Sequence, residues 1–463
     1  MTKKQIRMNA FDMNCVGHIS HGMWTHPRDR SAHYTDIAYW QNLAVTLEKG
    51  LFDGLFIADI IGLYDVYKGG PETALLAGAQ TPLNDPIVLA PIMAAVTKHL
   101  AFGITVNLTY EQPYLLARRF STLDHLTRGR IGWNIVTGYL DSAARGLGGD
   151  KLPNHDARYD VADDFMEVVY KLWEGSWDDD AVLRDRERGV FADPAKVRRV
   201  THRGPHYAVD AIHLSEPSPQ RTPLLYQAGS SDRGRRFAAD HAECIFVNGW
   251  NPKAMGVIVR DVRRRAMESG RRHDDIKAFA GISVVTAPTE AEARDKHAEY
   301  RRHASVEGAL AHFSASIGLD LSRYGLDEPI GFVKNDANNS ALEAITKRSP
   351  DKVWTVRGLR EQMAAGLGSR HPPIVGSPSQ VADQLVDWIE EADVDGFNLI
   401  RTVTPESVED FVALVVPELQ NRGLYKTAYE DGPIRQKLFG TPRLPARHRG
   451  ASFRPGAGHR AAE

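Results

Sequence analysis

Two cysteines in 463 residues, Cys15 and Cys244, are too few and too far apart in sequence for a disulfide framework, and their scarcity fits a reducing cytoplasm. No uninterrupted apolar run approaches the ~20 residues that a membrane-spanning helix needs. The formal net charge is -2, from 57 basic and 59 acidic side chains, so no cationic excess points to nucleic acid. The opening Met1-Thr-Lys-Lys-Gln5 runs into a strand-like segment with no long apolar core and no cleavage pattern, so no secretory leader is expected. No Gly-x-Gly-x-x-Gly follows a strand, which argues against a nicotinamide held in a dinucleotide fold. No internal repeat or low-complexity tract is present either.

What remains is an ordinary globular mixture, 42% hydrophobic and 25% charged. A prior of ~150 residues per domain suggests about three domains, but a single barrel with insertions can exceed ~400 residues. Strand-like and helix-like segments alternate. Residues 6–11 read as a strand. Residues 36–49 read as a helix, with Ile37, Trp40, Leu43, Ala44 and Leu47 at helical spacing and Gly50 as its stop. The alternation continues with strands at 52–59, 100–106, 130–136, 224–228, 243–247, 276–286 and 396–400. Helices are read at 86–99, 113–126, 156–174, 233–241, 253–269, 379–392 and 405–421. Eight pairs imply a parallel sheet closed into a (β/α)8 TIM barrel, since parallel strands need helical crossovers. One domain is expected over 1–424, with insertions near 62–85, 139–155, 178–222 and 288–376. All four are expected after strands, on the catalytic face. The last contains the polar stretch 334–340, read as a mobile segment. Residues 425–463 read as a frayed C-terminal tail.

Several segments carry chemistry. Met8 to Trp24 begins as a strand and then places Cys15, His18 and His21 within seven residues, at the mouth of such a barrel. The spacing tolerates a metal, but neither a Cys-x-x-Cys nor a carboxylate-rich cluster accompanies it, so no metal is expected. Gln227-Ala-Gly-Ser-Ser-Asp-Arg-Gly234 joins a strand to a helix. Its small residues allow close backbone approach to an anion, and the same pattern is also an ordinary helix cap. In Asn154-His-Asp-Ala-Arg-Tyr-Asp160, His155 and Tyr159 share one face of a starting helix. Asp59, Thr105, Asn107, Asn134 and Thr137 lie at the ends of the second, third and fourth strands, where each can serve a ligand or merely satisfy loop backbone.

These segments resemble one branch of the bacterial-luciferase-like flavin monooxygenases. That branch includes the long-chain alkane, dimethyl sulfide, nitrilotriacetate and dibenzothiophene sulfone monooxygenases. The resemblance covers nearly the whole chain, including Ala117-Arg-Arg-Phe-Ser-Thr-Leu-Asp-His-Leu-Thr-Arg-Gly-Arg130, Tyr170-Lys-Leu-Trp-Glu-Gly-Ser-Trp177, Pro217-Ser-Pro-Gln-Arg-Thr-Pro223 and Val416-Pro-Glu-Leu-Gln-Asn-Arg-Gly-Leu-Tyr425.

The resemblance implies a two-component enzyme that oxygenates a substrate with O2 and reduced FMN, the latter supplied by a separate NAD(P)H:flavin reductase. It implies an FMN phosphate held by Gly229, Ser230, Ser231, His155 and Tyr159, and an isoalloxazine beside Asp59. Cys15, His18, Tyr64, Gln80 and His312 match positions that line the catalytic pocket of the alkane-oxidising member. Tyr139 stands where that member carries His and where the sulfide-oxidising member carries Tyr. His18 is the strongest catalytic candidate, because a reduced flavin that activates oxygen needs a nearby donor and His titrates in the useful range. Few pocket candidates are charged, so an apolar alkane-like or organosulfur substrate is expected ahead of a polycarboxylate. A deazaflavin (F420) oxidoreductase and a non-catalytic flavin carrier remain alternatives on the same barrel. A cytoplasmic homodimer or higher homo-oligomer, without nucleic-acid or membrane partners, completes the expectation.

Overall fold

The computed structural model describes residues 4–248, 251–333, 335, 337, 339–346, 352–369 and 371–456. Eight short apolar runs form parallel strands: β1 (Arg7–Met13), β2 (Gly54–Ala58), β3 (Ala101–Asn107), β4 (Ile131–Val136), β5 (Leu224–Gln227), β6 (Cys244–Val247), β7 (Lys277–Thr286) and β8 (Gly396–Ile400). Each pairs with its sequence neighbour, and β8 pairs back to β1 with Asn9 opposite Asn398, so the sheet is a closed barrel. A helix follows every strand: α1 (Ile37–Lys49), α2 (Leu89–Ala94), α3 (Pro113–Leu126), α4 (His155–Tyr170), α5 (Asp232–His241), α6 (Pro252–Glu268), α7 (Pro378–Ala392) and α8 (Glu406–Asp410). Proline opens α3, α6 and α7, where its missing N–H costs nothing.

Two faces of each strand serve two cores. Met8, Ala10, Leu55 and Ile57 pack outward against the helices, while Phe11, Phe56, Tyr226, Phe246 and Phe279 fill the barrel interior. The interior rings meet edge to face, Phe11 lying 4.7 Å from Phe246 and 5.5 Å from Phe56. A third cluster, built on Tyr64, Leu310, Phe313 and Leu359, belongs to the insertions above the mouth. Among the described residues no helix is long and apolar enough to cross a membrane.

Three expectations need correction. The helix read over 86–99 is confined to Leu89–Ala94, because the buried Arg130 guanidinium takes the carbonyls of Ala94 and Leu100. The insertion at 178–222 follows α4 rather than a strand, so it lies at the face opposite the catalytic mouth. It folds there as two antiparallel hairpins, Val182–Asp185 with Val190–Ala192 and Val200–Arg203 with Ala208–Ala211. The tail, expected to be frayed, closes the barrel bottom. Its helix Ile434–Phe439 sends Ile434 and Leu438 into the interior core, and fully buried Arg435 binds Glu243 at 2.6 and 2.9 Å and the carbonyls of Thr222 and Pro223. Residues 457–463 lie outside the described residues, as do 334, 336 and 338 of the stretch 334–340 read as mobile.

The long helices read over 156–174 and 405–421 each contain a widened π turn, at Lys171–Gly175 and Phe411–Val415. The second precedes Val416–Asn421. Pro417 there has no N–H to bond back one turn, and the widened turn accommodates it.

Candidate functional site

The loops after β4 and β5 converge on a cavity of about 220 Å³ lined by Thr137, His155, Arg158, Tyr159, Gly229, Ser230 and Ser231. Ser231 caps α5, its Oγ accepting from Gly234 N at 3.0 Å, and His155 Nε2 lies 3.4 Å from that same Oγ. Tyr159 is buried, and its hydroxyl bonds the side chains of Thr137 and Gln227; burial holds its pKa above the ordinary phenol value. A Cβ on Gly229 would stand 2.3 Å from Gln227 Nε2 and 2.6 Å from Tyr159 Oη, so only glycine admits this approach. The backbone at a helix start, two hydroxyls, an imidazole and the Arg158 guanidinium together fit a phosphomonoester. Arg158 is buried and donates to Pro153 O at 2.6 Å.

Val136, Gly138 and Tyr139 also line a second cavity, with Asp59, Asn107 and Leu140. Asp59 and Asn107 in turn border a third cavity, about 440 Å³, that reaches Thr105, Asp85 and Arg119. Behind Thr105, Asn134 Nδ2 donates to Thr105 Oγ1 at 2.9 Å, and Asn134 Oδ1 is buried without a hydrogen-bond partner among the described residues. Asn107 Oδ1 is taken by Thr109 N at 3.0 Å, the loop-backbone role left open for it. Burial and the neighbouring Asp85 carboxylate push the Asp59 pKa up to about 8, so Asp59 is mostly a neutral acid at pH 7. An orphaned amide oxygen and a neutral acid suit the mixed donors and acceptors of a flavin edge.

Beside this channel the structure joins four predicted pocket residues. Tyr64 Oη donates to Gln80 Oε1 and lies 3.2 Å from Tyr139 Oη, while the Tyr64 ring stacks on His312 at 4.9 Å and 17°. His312 Nδ1 is 3.0 Å from His21 Nε2. Gln80, at φ 56°, is anchored by its backbone N–H to Gly17 O at 2.8 Å, which ties this cluster to the loop after β1.

Cys15 and His18 sit deeper. Burial pushes the Cys15 thiol up to about 12, so it is a packing residue rather than a thiolate. His18 is 2% exposed and meets Phe11 edge-on at 4.5 Å. Phe11 and His312 line one small cavity, so His18 backs that cavity from behind a ring. The expectation that His18 titrates in the useful range is overturned: burial and the nearby Arg401 charge hold it well below the ordinary imidazole value, and it is neutral.

Two participants were not identified from sequence, and His21, noted beside Cys15 and His18 at the barrel mouth, was given no role of its own. Arg158 lies between two predicted residues on the same helix turn, so proximity was a usable signal for it. Arg401, which donates to Asp12 Oδ1 at 2.5 Å and to Cys15 O at 2.9 Å, had no local signal at all.

Residues 18–396 match the family described as luciferase-like monooxygenase. The chain is 48% identical over 455 residues to the dimethyl-sulfide monooxygenase of Hyphomicrobium sulfonivorans, covering 98% of this chain and 94% of that one. It is 49% identical over 457 residues to the long-chain alkane monooxygenase of Geobacillus thermodenitrificans (strain NG80-2), covering 98% and 99%. Among solved structures, a long-chain alkane monooxygenase superposes with TM-score 0.91 at 48% identity, over 98% of this chain and 100% of that one. A riboflavin lyase solved with modified FMN and riboflavin superposes with TM-score 0.91 at 38% identity, over 98% and 100%.

Proposed function

The chain belongs to the luciferase-like monooxygenase family, and we propose that it is a two-component enzyme that uses O2 and reduced FMN from a separate NAD(P)H:flavin reductase to oxygenate a small apolar substrate. The observation that carries this reading is continuity: a cradle fitted to a phosphate opens, through Gly138 and Tyr139, onto a neutral acid and then an uncharged aromatic cluster. Ser230, Ser231, His155, Tyr159 and Arg158 would hold the FMN phosphate, with Gly229 letting it approach the backbone. Thr105, Asn107, Asn134 and Thr137 would face its ribityl chain and ring edge, and Asp59 would offer a carboxylic proton there. When bound, the flavin supplies the oxygen-activating redox chemistry.

The chain's own residues exclude water and fix protons. Tyr64 gives its only hydroxyl proton to Gln80 Oε1, so in the Tyr64–Tyr139 contact the proton comes from Tyr139 Oη. The buried Tyr64, Phe11 and Phe313, with the half-buried His312, form an apolar wall beside the reacting position. Charge at the site is already matched: Arg401 pairs with Asp12, and Arg119 pairs with Glu111 at 2.8 Å on the outer rim. Among the described residues lining these cavities, no Arg or Lys other than Arg158 in the phosphate cradle and the Glu111-paired Arg119 is present to hold a polycarboxylate, and this favours alkane-like chains or organosulfur compounds. Tyr139, where the resemblance implies Tyr in the sulfide-oxidising member and His in the alkane-oxidising one, puts organic sulfides first.

The test is oxygen incorporation by the purified protein with chemically reduced FMN and a panel of alkanes, dialkyl sulfides, aromatic sulfones and aminopolycarboxylates. One oxygen atom is expected in an alkane or sulfur compound. Protein, FMN and NADH without reductase should give almost no turnover. Brisk NADH oxidation by the chain alone, or oxygenation of polycarboxylates only, would overturn the reading.

A further inference from the structure

The insertion helix Val306–Ile317 carries His312 one turn beyond Gly308. A Cβ on Gly308 would lie 3.3 Å from His21 Cβ and 2.8 Å from Ala77 Cβ, so the bare helix face admits the His21 side chain against it. On the other flank, Gly368 packs on the His21 backbone, where a Cβ would come within 2.4 Å of its carbonyl oxygen. His21 O accepts from Ser305 N at 2.8 Å, just before the same helix. His21 is thus gripped by two separate parts of one insertion, and its Nε2 meets His312 Nδ1 at 3.0 Å with the rings edge-on at 87°.

We propose that His21 is a positioning residue that fixes the ring proton of His312 on Nε2, the nitrogen not engaged by His21, in a ring that lines the cavity. The argument is one of proton count. His21 is 1% exposed, and its Nδ1 is buried with no hydrogen-bond partner among the described residues. Burial and the Arg401 charge lower its pKa to about 3, so it carries a single ring proton. If that proton sat on Nδ1, it would be a buried N–H with no acceptor, the rarer and costlier kind of orphan. It therefore sits on Nε2 and is donated to His312 Nδ1. His312 must then present a lone pair at Nδ1, and its own proton belongs on Nε2. The stacked Tyr64 ring holds the His312 plane in place. The logic is that of a second partner fixing a histidine tautomer, here without a metal.

The catalytic consequence rests on the monooxygenase reading above, but the tautomer does not, and the test separates them. Full-length protein labelled with 15N-histidine is examined by ring-nitrogen NMR, with His312 assigned by its loss in His312→Gln. The wild type should show His312 with Nε2 protonated and Nδ1 unprotonated. His21→Gln, whose amide N–H can replace the Nε2 donor, should preserve that pattern, and His21→Leu should give a tautomer mixture. In turnover, His21→Leu should lose oxygenation about tenfold or more, with FMN affinity unchanged, and His21→Gln should restore most of it. A wild-type His312 protonated on Nδ1 overturns the proposal, and so does an unchanged tautomer in a folded His21→Leu. If His21→Leu does not fold, the wild-type spectrum still decides. A confirmed tautomer in a protein that oxygenates nothing would count against the proposed function alone.

Discussion

Arg401 Nε donates to Asp12 Oδ1 at 2.5 Å, and this buried pair joins the exit of the last barrel strand to the end of the first. The same guanidinium donates to Cys15 O at 2.9 Å and Val16 O at 3.2 Å, so it shapes the turn that carries Cys15, His18 and His21. Its planar fork reaches one carboxylate and two carbonyls at once, which an ammonium group cannot do. The pair holds Arg401 charged, and that charge helps keep His18 and His21 neutral.

Removing this cation should therefore be costly. Arg401→Met leaves Asp12 buried and unpaired, and should lower unfolding stability by about 3–5 kcal/mol in urea titrations. Arg401→Lys should recover only part of it. Adding Asp12→Asn to Arg401→Met should restore a measurable share, since the orphan charge is gone. Additive losses in the double variant would show that the two side chains do not act as a pair.

The phosphate cradle predicts a binding defect without a folding defect. Charge-assisted hydrogen bonds contribute about 1.5–3 kcal/mol each. Tyr159→Phe combined with Ser230→Ala should weaken FMN binding at least ~10-fold in a fluorescence titration. Gly229→Ala should do as much alone, because its methyl group would collide with the Tyr159 hydroxyl. Unchanged affinity in both variants would remove the phosphate from this cavity.

Asp59 predicts the sign of a pH effect. Its folded pKa is about 8, against 3.8 for the unconstrained carboxyl. The folded state therefore binds the proton more tightly than the unfolded chain does. That contribution to stability is fully present below pH 3.8 and is lost as pH rises through about 8. Asp59→Asn should flatten the decline over this window. A wild-type stability that rises from pH 5 to pH 8 and is untouched by Asp59→Asn would show that Asp59 ionises normally.

Local features of the chain were legible because local rules produce them. Apolar runs bounded by turn residues marked all eight strands, and the Gly229-Ser-Ser231 turn was legible as the helix cap that it forms. Pairings across hundreds of residues left no such trace. His21 meets His312 291 positions away, and Arg401 meets Asp12 389 positions away. Arg435 looks like a solvent-exposed tail residue in sequence, yet Glu243 and two strand-entry carbonyls supply the partners that allow it to be buried. The insertion at 178–222 was expected on the catalytic face although the helix read over 156–174 already preceded it; a segment between a helix and the next strand lies at the strand-entry face, where the hairpins are found.

His18 gives the sharpest prediction, because the structure narrows its role. It is neutral across the physiological range, so it acts as a fixed donor or acceptor and shuttles no proton by becoming imidazolium. Its ring lies edge-on to Phe11, and its Nδ1 is buried with no hydrogen-bond partner among the described residues. His18 is not among the described residues that line the phosphate cavity, so His18→Ala should bind FMN normally. Oxygenation should fall by about 10²-fold, the lower end of what a positioned acid or base contributes, with oxygen appearing instead as hydrogen peroxide. His18→Gln, which keeps a polar atom in similar space, should recover more coupling than His18→Ala. The pH profile should show no acidic limb near 6.5 that disappears in either variant. Cys15→Ala should be milder, since a thiol held near pKa 12 only packs. Near-normal product formation by a folded His18→Ala would make His18 a structural residue that merely supports Phe11.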